Sequence, residues 1–252
     1  MDYDKYAEKR QQDLINGMKP AHRFVEKPMM KKMLPNLYNK KILMLGCGTG
    51  EESVLLESFG ALKENLVGID LSIKSIELAK EAYPNIEFVV GNMNELPFEN
   101  ESFDFVYSSL AIHYSETPEN VYKEVYRILK KEGLFLFSLA HPLRWASEEK
   151  QIDDEIFRII GCSKNDNGNK VYGQYNTFKK YIHSYFAWQN DDEVLSFYVG
   201  SPSMHFKLLR QANFEVLDFT ESKCVDEAKS IDMNYYIKNS EIPQFMAFLT
   251  KK

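Results

Sequence analysis

A chain of 252 residues, 44% hydrophobic and 27% charged, has enough apolar material for one well-buried α/β domain with an insertion, or two small domains at most. Its net charge of −6 argues against a nucleic-acid polyanion as main partner, because phosphate binding needs a basic face. The widely spaced Cys47, Cys162 and Cys224 form no metal-ligand pattern and read as reduced thiols. No run approaches the ~18–20 apolar residues of a membrane span, and the polar start MDYDKYAEKRQQ lacks the apolar stretch of a signal peptide. The expectation is a cytoplasmic protein with no metal and no nucleic-acid or membrane partner.

In chain order, residues 1–38 read as a helical leader that packs across one end of a sheet. From Lys41 to about Leu139, apolar runs alternate with segments of helical period: KILML, NLVGID, IEFVV, FDFVYSS and LFLFSL are the strands. Continuous runs of this length suit strands buried on both faces of a parallel sheet. The clearest helix is TPENVYKEVYRILKKEG, with Thr117 placed to cap, Pro118 at the first helical position and Gly133 at the exit. Val121, Val125, Ile128 and Leu129 share its apolar face, and Lys130 and Lys131 suit its C-terminal end. Such alternation predicts right-handed crossovers and a doubly wound, Rossmann-like α/β sheet.

Residues 142–200 break this rhythm. SKNDNGNK reads as a loop, and YIHSYFAWQNDDEVLSFYVG as two strands joined at residues 190–192. The tail, residues 201–252, resumes with a helix at SPSMHFKLLRQAN and strands at FEVLDFTES and PQFMAFLTK. A single domain results, with its core at 39–141 and the insertion placed to cover the cleft.

KILMLGCGTGEES carries the functional question, since a glycine-rich turn after a first strand brings backbone close to a ligand. A phosphate-binding P-loop ends in Gly-Lys-Ser/Thr; here Glu51 and Glu52 follow Gly50 and would repel a triphosphate. A dinucleotide fingerprint spaces its glycines G-x-G-x-x-G; here the spacing is Gly46-x-Gly48-x-Gly50, and position 51 is Glu. Two carboxylates in the first helical turn oppose an anion there. S-adenosylmethionine (SAM) has no phosphate and a cationic sulfonium, so spacing and charge favour it over NAD. Asp70 ends the second strand, where a carboxylate can accept from both ribose hydroxyls; Ser72 already serves as cap for the helix that follows. Asn92 and Met93, at the end of the third strand, are placed to meet an adenine edge through a side-chain oxygen and a backbone N–H.

LGCGTG, GIDLS, ELPFENESFDFVYSSLAIHY and VYRILKKEGLFLFSLAHP, in that order, resemble the landmarks of class I SAM-dependent methyltransferases. The resemblance is to the small-molecule group related to ubiquinone- and menaquinone-biosynthesis enzymes. It extends to FVEKPMMKKMLPNL and IPQFMAFLTKK, and so covers nearly the whole chain. It implies a seven-stranded, mostly parallel sheet with an antiparallel last strand and a cofactor across the C-terminal ends of strands one to four. The cofactor-binding set it implies is Gly46, Cys47, Gly48, Gly50, Asp70, Leu71, Asn92, Met93, Ser108 and His113, with Tyr3 and Arg23 from a leader that closes over SAM. Tyr6 and Arg10 belong to the same leader. Two positions depart from the family's pattern. Met44 stands where an acid two residues before the first glycine helps hold the SAM ammonium, and Asn92 replaces the usual aspartate at the adenine.

Methyl transfer from a sulfonium needs a base only if the acceptor arrives protonated, and alignment alone can supply ~7–11 kcal/mol. His141, after the fifth strand, is the better base candidate, with a structural role as the alternative. His113 is read first as an aromatic wall of the pocket and second as catalytic. Trp145, Tyr181, Tyr185, Phe186 and Trp188 either line an acceptor pocket or pack as core, and Glu149, Asp153, Asp154 and Glu155 read as a solvated face. The leading expectation is a methyltransferase, monomer or homodimer, acting on a small-molecule acceptor that the sequence does not name. The alternatives are a regulatory module that binds SAM or another nucleoside without transfer, which Met44 keeps open, and a nicotinamide oxidoreductase, which position 51 opposes.

Overall fold

The computed structural model describes residues 4, 7–8, 11–12, 20–165, 168–183 and 195–252. In the leader, a π-helical turn at His22–Glu26 runs directly into α1 (Lys27–Met33), which takes Pro28 in its first turn and buries Met29, Met30 and Met33. The fold then alternates: β1 (Ile42–Leu45), α2 (Glu52–Glu57), β2 (Leu66–Asp70), α3 (Ile73–Ala82), β3 (Glu87–Val90), β4 (Phe103–Ser108), α4 (Pro118–Ile128) and β5 (Leu129–Ala140). A short helix α5 (Pro142–Trp145) opens the insertion, followed by three antiparallel ribbons. They pair β6 (Glu148–Ile152) with β7 (Glu155–Ile159), β8 (Gly161–Asn165) with β9 (Gly168–Tyr172), and β10 (Lys179–His183) with β11 (Leu195–Val199). The tail adds α6 (Pro202–Gln211), β12 (Glu215–Glu221), α7 (Met233–Glu241) and β13 (Phe245–Lys251).

One seven-stranded sheet holds the molecule together, in the order β12-β13-β5-β4-β1-β2-β3. β1 to β5 run parallel, and β13 enters antiparallel between β5 and β12. Every residue of β1 is buried, as expected for a strand covered on both faces. One face packs against α1, α2 and α3 around Met30, Leu37, Met44 and Tyr107. The other packs against α4 and α6 around Leu43, Val106, Phe137 and Leu209. Phe137 stacks on Phe135 at 4.5 Å and on Phe248 of β13 at 5.4 Å, so the antiparallel strand is bound by rings as well as by its ladder.

Two local expectations change. The helix after Pro118 stops at Ile128 rather than at Gly133. Leu129 turns extended, the Lys130 ammonium crosses to Asp104 of the neighbouring strand at 2.9 Å, and Glu132 takes φ +63°. A Cβ on Gly133 would come within 2.8 Å of the Lys130 carbonyl, so this glycine permits a turn inside β5 rather than capping a helix. SKNDNGNK is not a plain loop either: it spans the β8–β9 ribbon, except for residues 166–167, which lie outside the described set. The two strands expected at its aromatic end are β10 and β11, with Tyr181 opposite Phe197; their junction at 190–192 lies outside the described residues. Among the described residues, no helix is long and apolar enough to cross a membrane.

Candidate cofactor and acceptor site

Strand order reverses between β1 and β4, and a doubly wound sheet opens a crevice at the C-terminal ends of such neighbours. There β1 gives way to the glycine turn. The Gly46 and Cys47 N–H groups donate to the Ile69 carbonyl at 2.8 and 3.0 Å, which docks the turn onto β2. Gly46, Gly48 and Gly50 all have positive φ, a backbone that a side chain resists. Their surroundings differ. A Cβ on Gly46 would overlap the Ala111 side chain, and one on Gly50 would come within 2.9 Å of the Tyr83 ring; at Gly48 nothing stands within 4 Å. Gly48 therefore leaves its backbone open to a ligand, while the outer glycines allow the turn to close on its neighbours.

Asp70 faces this opening. Its Oδ2 accepts from Gly48 N–H and its Oδ1 from Ser72 N–H, both at 2.9 Å, so two backbone donors aim the carboxylate. Each oxygen retains a lone pair for a hydroxyl. Ser72 caps α3 by accepting from Ser75 N–H, as its sequence position predicts. Leu71, 54% exposed, presents an apolar side chain beside Asp70. The leader is fastened here too: Asp4 accepts from Ser72 Oγ at 2.6 Å and from Lys74 N–H at 3.0 Å.

Other expected contacts move. Asn92 Oδ1 accepts from Asn94 N–H and from Asn94 Nδ2, closing its own turn. The oxygen expected to meet an adenine amino group is thus engaged within the turn. Cys47 is buried, with its thiol towards the Gly48 carbonyl. Ser108 is a correction: it is fully buried and donates to the Leu45 carbonyl at 2.9 Å, a strand-to-strand tie. Ser109, the next residue, donates to Glu26 and stands 3.4 Å from the His22 ring. Arg23 is exposed, its guanidinium 4.8 Å over its neighbour Phe24. Tyr3, Tyr6 and Arg10 lie outside the described residues.

Met44 is buried in the core, yet the crevice does not lack acid. Glu26, at the end of the leader's π-turn, is fully buried and accepts from Ser109 Oγ at 2.9 Å and Ser138 Oγ at 2.7 Å. Glu52 accepts from the Tyr107 hydroxyl at 3.1 Å. The His22 ring stands 3.5 Å from Glu26 and 3.2 Å from Glu52, and the Lys27 ammonium 3.2 Å from Glu52. Burial pushes the Glu26 carboxyl up, beyond what His22 returns. Burial acts on Glu52 in the same sense, but His22 and Lys27 outweigh it and bring that carboxyl down to about 2. The pair therefore carries one firm negative charge, on Glu52, faced by Lys27 and His22.

The two histidines differ. His113 sits in a 3₁₀ turn (Ile112–Tyr114) after β4, 4.5 Å from Tyr114 and 5.7 Å from the Phe197 ring. Phe197 also meets Trp145 edge-on at 4.9 Å. His113 thus stands against an aromatic group that packs beside Ala140 and Val199. His141 makes the contacts of its structural alternative. It is fully buried, its Nδ1 accepts from Leu143 N–H to cap α5, and its Nε2–H donates to Glu221 at 2.8 Å. With both nitrogens engaged and burial pushing the ring's pKa down against the pull of Glu221, it holds β5, α5 and β12 together and has no lone pair for a substrate proton. Trp145 belongs to the aromatic group, Tyr181 lies in β10, and Tyr185, Phe186 and Trp188 lie outside the described residues. Glu149, Asp153, Asp154 and Glu155 are exposed, as read, and no group of potential metal ligands occurs among the described residues.

Glu26, Ser109, Phe197 and Arg144 were absent from the set read off the sequence. A signal existed for Glu26, the one carboxylate inside the apolar run FVEKPMM; its partners Ser109 and Ser138 are long-range and leave no local trace.

Residues 43–137 match the family described as methyltransferase domain. The chain is 32% identical over 166 residues to a Haemophilus influenzae protein, covering 60% of this chain and 64% of that one. It is 35% identical over 117 residues to the demethylmenaquinone methyltransferase of Lactococcus lactis, covering 44% of this chain and 46% of that one. The chain thus spans about half to two thirds of the curated relatives it matches. A solved SAM-dependent methyltransferase of Mesorhizobium loti superposes with a TM-score of 0.68 at 22% identity, covering 90% of this chain and 97% of that one. The matched segment builds the glycine turn and β1 to β5, and the sheet has the Rossmann-like fold of the solved SAM-dependent methyltransferase.

Proposed function

We propose that the protein is a cytoplasmic SAM-dependent methyltransferase acting on a small-molecule acceptor, as a monomer or homodimer. The observation that carries this reading is the pairing of the open Gly48 backbone with an Asp70 carboxylate clamped by Gly48 and Ser72 N–H groups at the switch point of the sheet. Asp70 is preset for a ribose diol, the Asn92–Met93 backbone for an adenine edge, and Glu52 with Ser109 for an ammonium end, so the residues fit the cofactor. Bound SAM supplies a methyl group already activated on a sulfonium. The chain's part is to hold the acceptor in line and keep water out, behind the aromatic wall of His113, Tyr114, Trp145 and Phe197. His141 takes no proton in this scheme, and alignment carries the rate. The matched family and the enzymes among the relatives disfavour the regulatory reading.

Calorimetric titration with SAM and S-adenosylhomocysteine tests the proposal, followed by homocysteine release across a panel of small acceptors. Both ligands should bind, and Asp70→Ala should weaken each by roughly tenfold or more, since a hydrogen bond to a charged acceptor contributes about 1.5–3 kcal/mol. Equal affinity in wild type and variant would remove the ribose assignment; no binding to wild type would remove the function.

A further inference from the structure

α5 carries Arg144 away from the end of β5, toward α7. The Arg144 guanidinium donates to Asn239 Oδ1 at 3.2 Å and lies 5.6 Å over the Trp145 ring. Among the described residues no carboxylate pairs with it, and its charged neighbours, Arg158 and Lys238, are cations. Arg158 Nη1 donates to the Arg144 carbonyl at 3.2 Å, and its own charge is met by Glu149. Burial pushes Arg144 down, and Arg158 adds to it; burial, Arg144 and Arg158 push Lys238 down in turn. Glu149 serves Arg158 and also acts on Lys238, so of these three cations it is Arg144 that has no acidic partner among the described residues.

A second, independent feature converges on the same spot. Tyr235 lies one helical turn before Asn239 and accepts from its Nδ2 through the backbone carbonyl at 2.7 Å. Its hydroxyl is out of contact with water and makes no hydrogen bond among the described residues. Burial pushes the phenol up, and the nearby Arg144 charge opposes it. A buried hydroxyl normally has a partner. Asn239 links the two, accepting from the Arg144 guanidinium and donating to the Tyr235 carbonyl, and a guanidinium with donors to spare joined in this way to a tyrosine whose hydroxyl lacks an acceptor calls for a group that only accepts. The spot also adjoins the aromatic wall, through Trp145, Phe197 and His113 in sequence of contact, and Ala111 before His113 touches the glycine turn.

We propose that Arg144 and Tyr235 form an oxyanion-binding subsite for the methyl acceptor, which carries a carboxylate there and lays its apolar body along Trp145 and Phe197. This rests on the methyltransferase reading for the word acceptor; the anion site itself does not. A single guanidinium with a single hydroxyl matches the one charge and planar oxygens of a carboxylate better than a phosphate dianion.

The test uses the full chain and three probes: phenylacetate, its neutral isostere phenylacetamide, and inorganic phosphate, each titrated calorimetrically after S-adenosylhomocysteine. Phenylacetate should bind at least tenfold more tightly than the amide. Arg144→Gln should reduce that preference by about tenfold or more, as expected for a charge-assisted contact. Tyr235→Phe removes only a hydroxyl without a protein partner, so it should melt at the wild-type temperature and still lose part of the preference; it decides the matter if Arg144→Gln does not fold. Equal or absent binding of acid and amide, or a preference untouched in Tyr235→Phe, overturns the subsite. Phosphate binding more tightly than phenylacetate overturns the carboxylate. If S-adenosylhomocysteine binds and the carboxylate does not, this proposal falls and the methyltransferase stands; the opposite pair of results leaves an anion site on a protein of other function.

Discussion

β5 separates two kinds of structure made from the same element. On its N-terminal side, strands β1 to β5 lie in a sheet covered by helices on both faces, and the core-facing residues of β4 and β5 are buried almost to the last atom. On its C-terminal side, β6 and β7 expose nearly every residue, including Ile156 at 73%, and in β9 Val171 stands 69% exposed. A hairpin in water is marginal without a third strand or a packed helix. The comparison teaches that pairing alone does not make a strand costly to disturb; what covers it does. The sheet is built where perturbation is expensive, and the ribbons grow from a region where sequence can change at little cost.

The sharpest way to break this comparison is to make one substitution in both regions. Gly46→Ala forces a side chain into positive φ and into Ala111, and should destabilise by about 2–5 kcal/mol in urea unfolding, from backbone strain plus overpacking. His141→Ala, at the seam between the regions, should cost about 1–3 kcal/mol through its lost cap and buried hydrogen bond. Its acid rate profile should match wild type, and a flattened acid limb would restore the residue to catalysis. His205 sharpens the core side through pH. Its buried ring is hydrogen-bonded to Tyr122 at 2.7 Å, and burial holds its pKa down to about 3 against 6.5 unfolded. Between those values the unfolded chain binds a proton that the native one refuses, so stability falls as pH drops from about 6.5 toward 3 and is unaffected above. His205→Gln should remove up to about 1.4 kcal/mol per pH unit from that acid slope, read from urea midpoints across the window. The smallest effect belongs to Gly161→Ala on β8, where a Cβ meets nothing within 4 Å. A shift within about 0.5 kcal/mol is expected, and a larger one would mean that the ribbon is covered in solution.

The order of strands in the core was legible because burial on both faces writes itself as continuous apolar runs. Asp70 and the glycines were legible because a turn that needs positive φ and a carboxylate at a strand end are both local patterns. The tie from the Ser108 hydroxyl to the Leu45 carbonyl was not legible, because strand residues alternate faces and the partner lies on another strand. The two readings of His141 stayed open in the sequence because its contact with Glu221 lies far along the chain. The exit of α4 was misread because Lys130, Lys131 and Gly133 imitate a helix terminus, while the partner that draws Lys130 into the sheet, Asp104, lies across the strand pair. Arg144 and Tyr235 gave no sign at all, since an isolated arginine and an isolated tyrosine acquire meaning only when α5 and α7 are brought together.

β13 sits between β5 and β12, and Thr250 bonds the Phe135 carbonyl across 115 positions of sequence. As the chain leaves a ribosome, β1 to β5 are complete well before the strand that seals the open edge of β5 is available. Until then Phe135 and Phe137 stand beside an unpaired row of amides, the surface on which nascent chains adhere to one another. Closing so long a loop is also slow. A demand for chaperones during synthesis, and a refolding yield that falls with protein concentration, are therefore consequences of where a single strand was inserted.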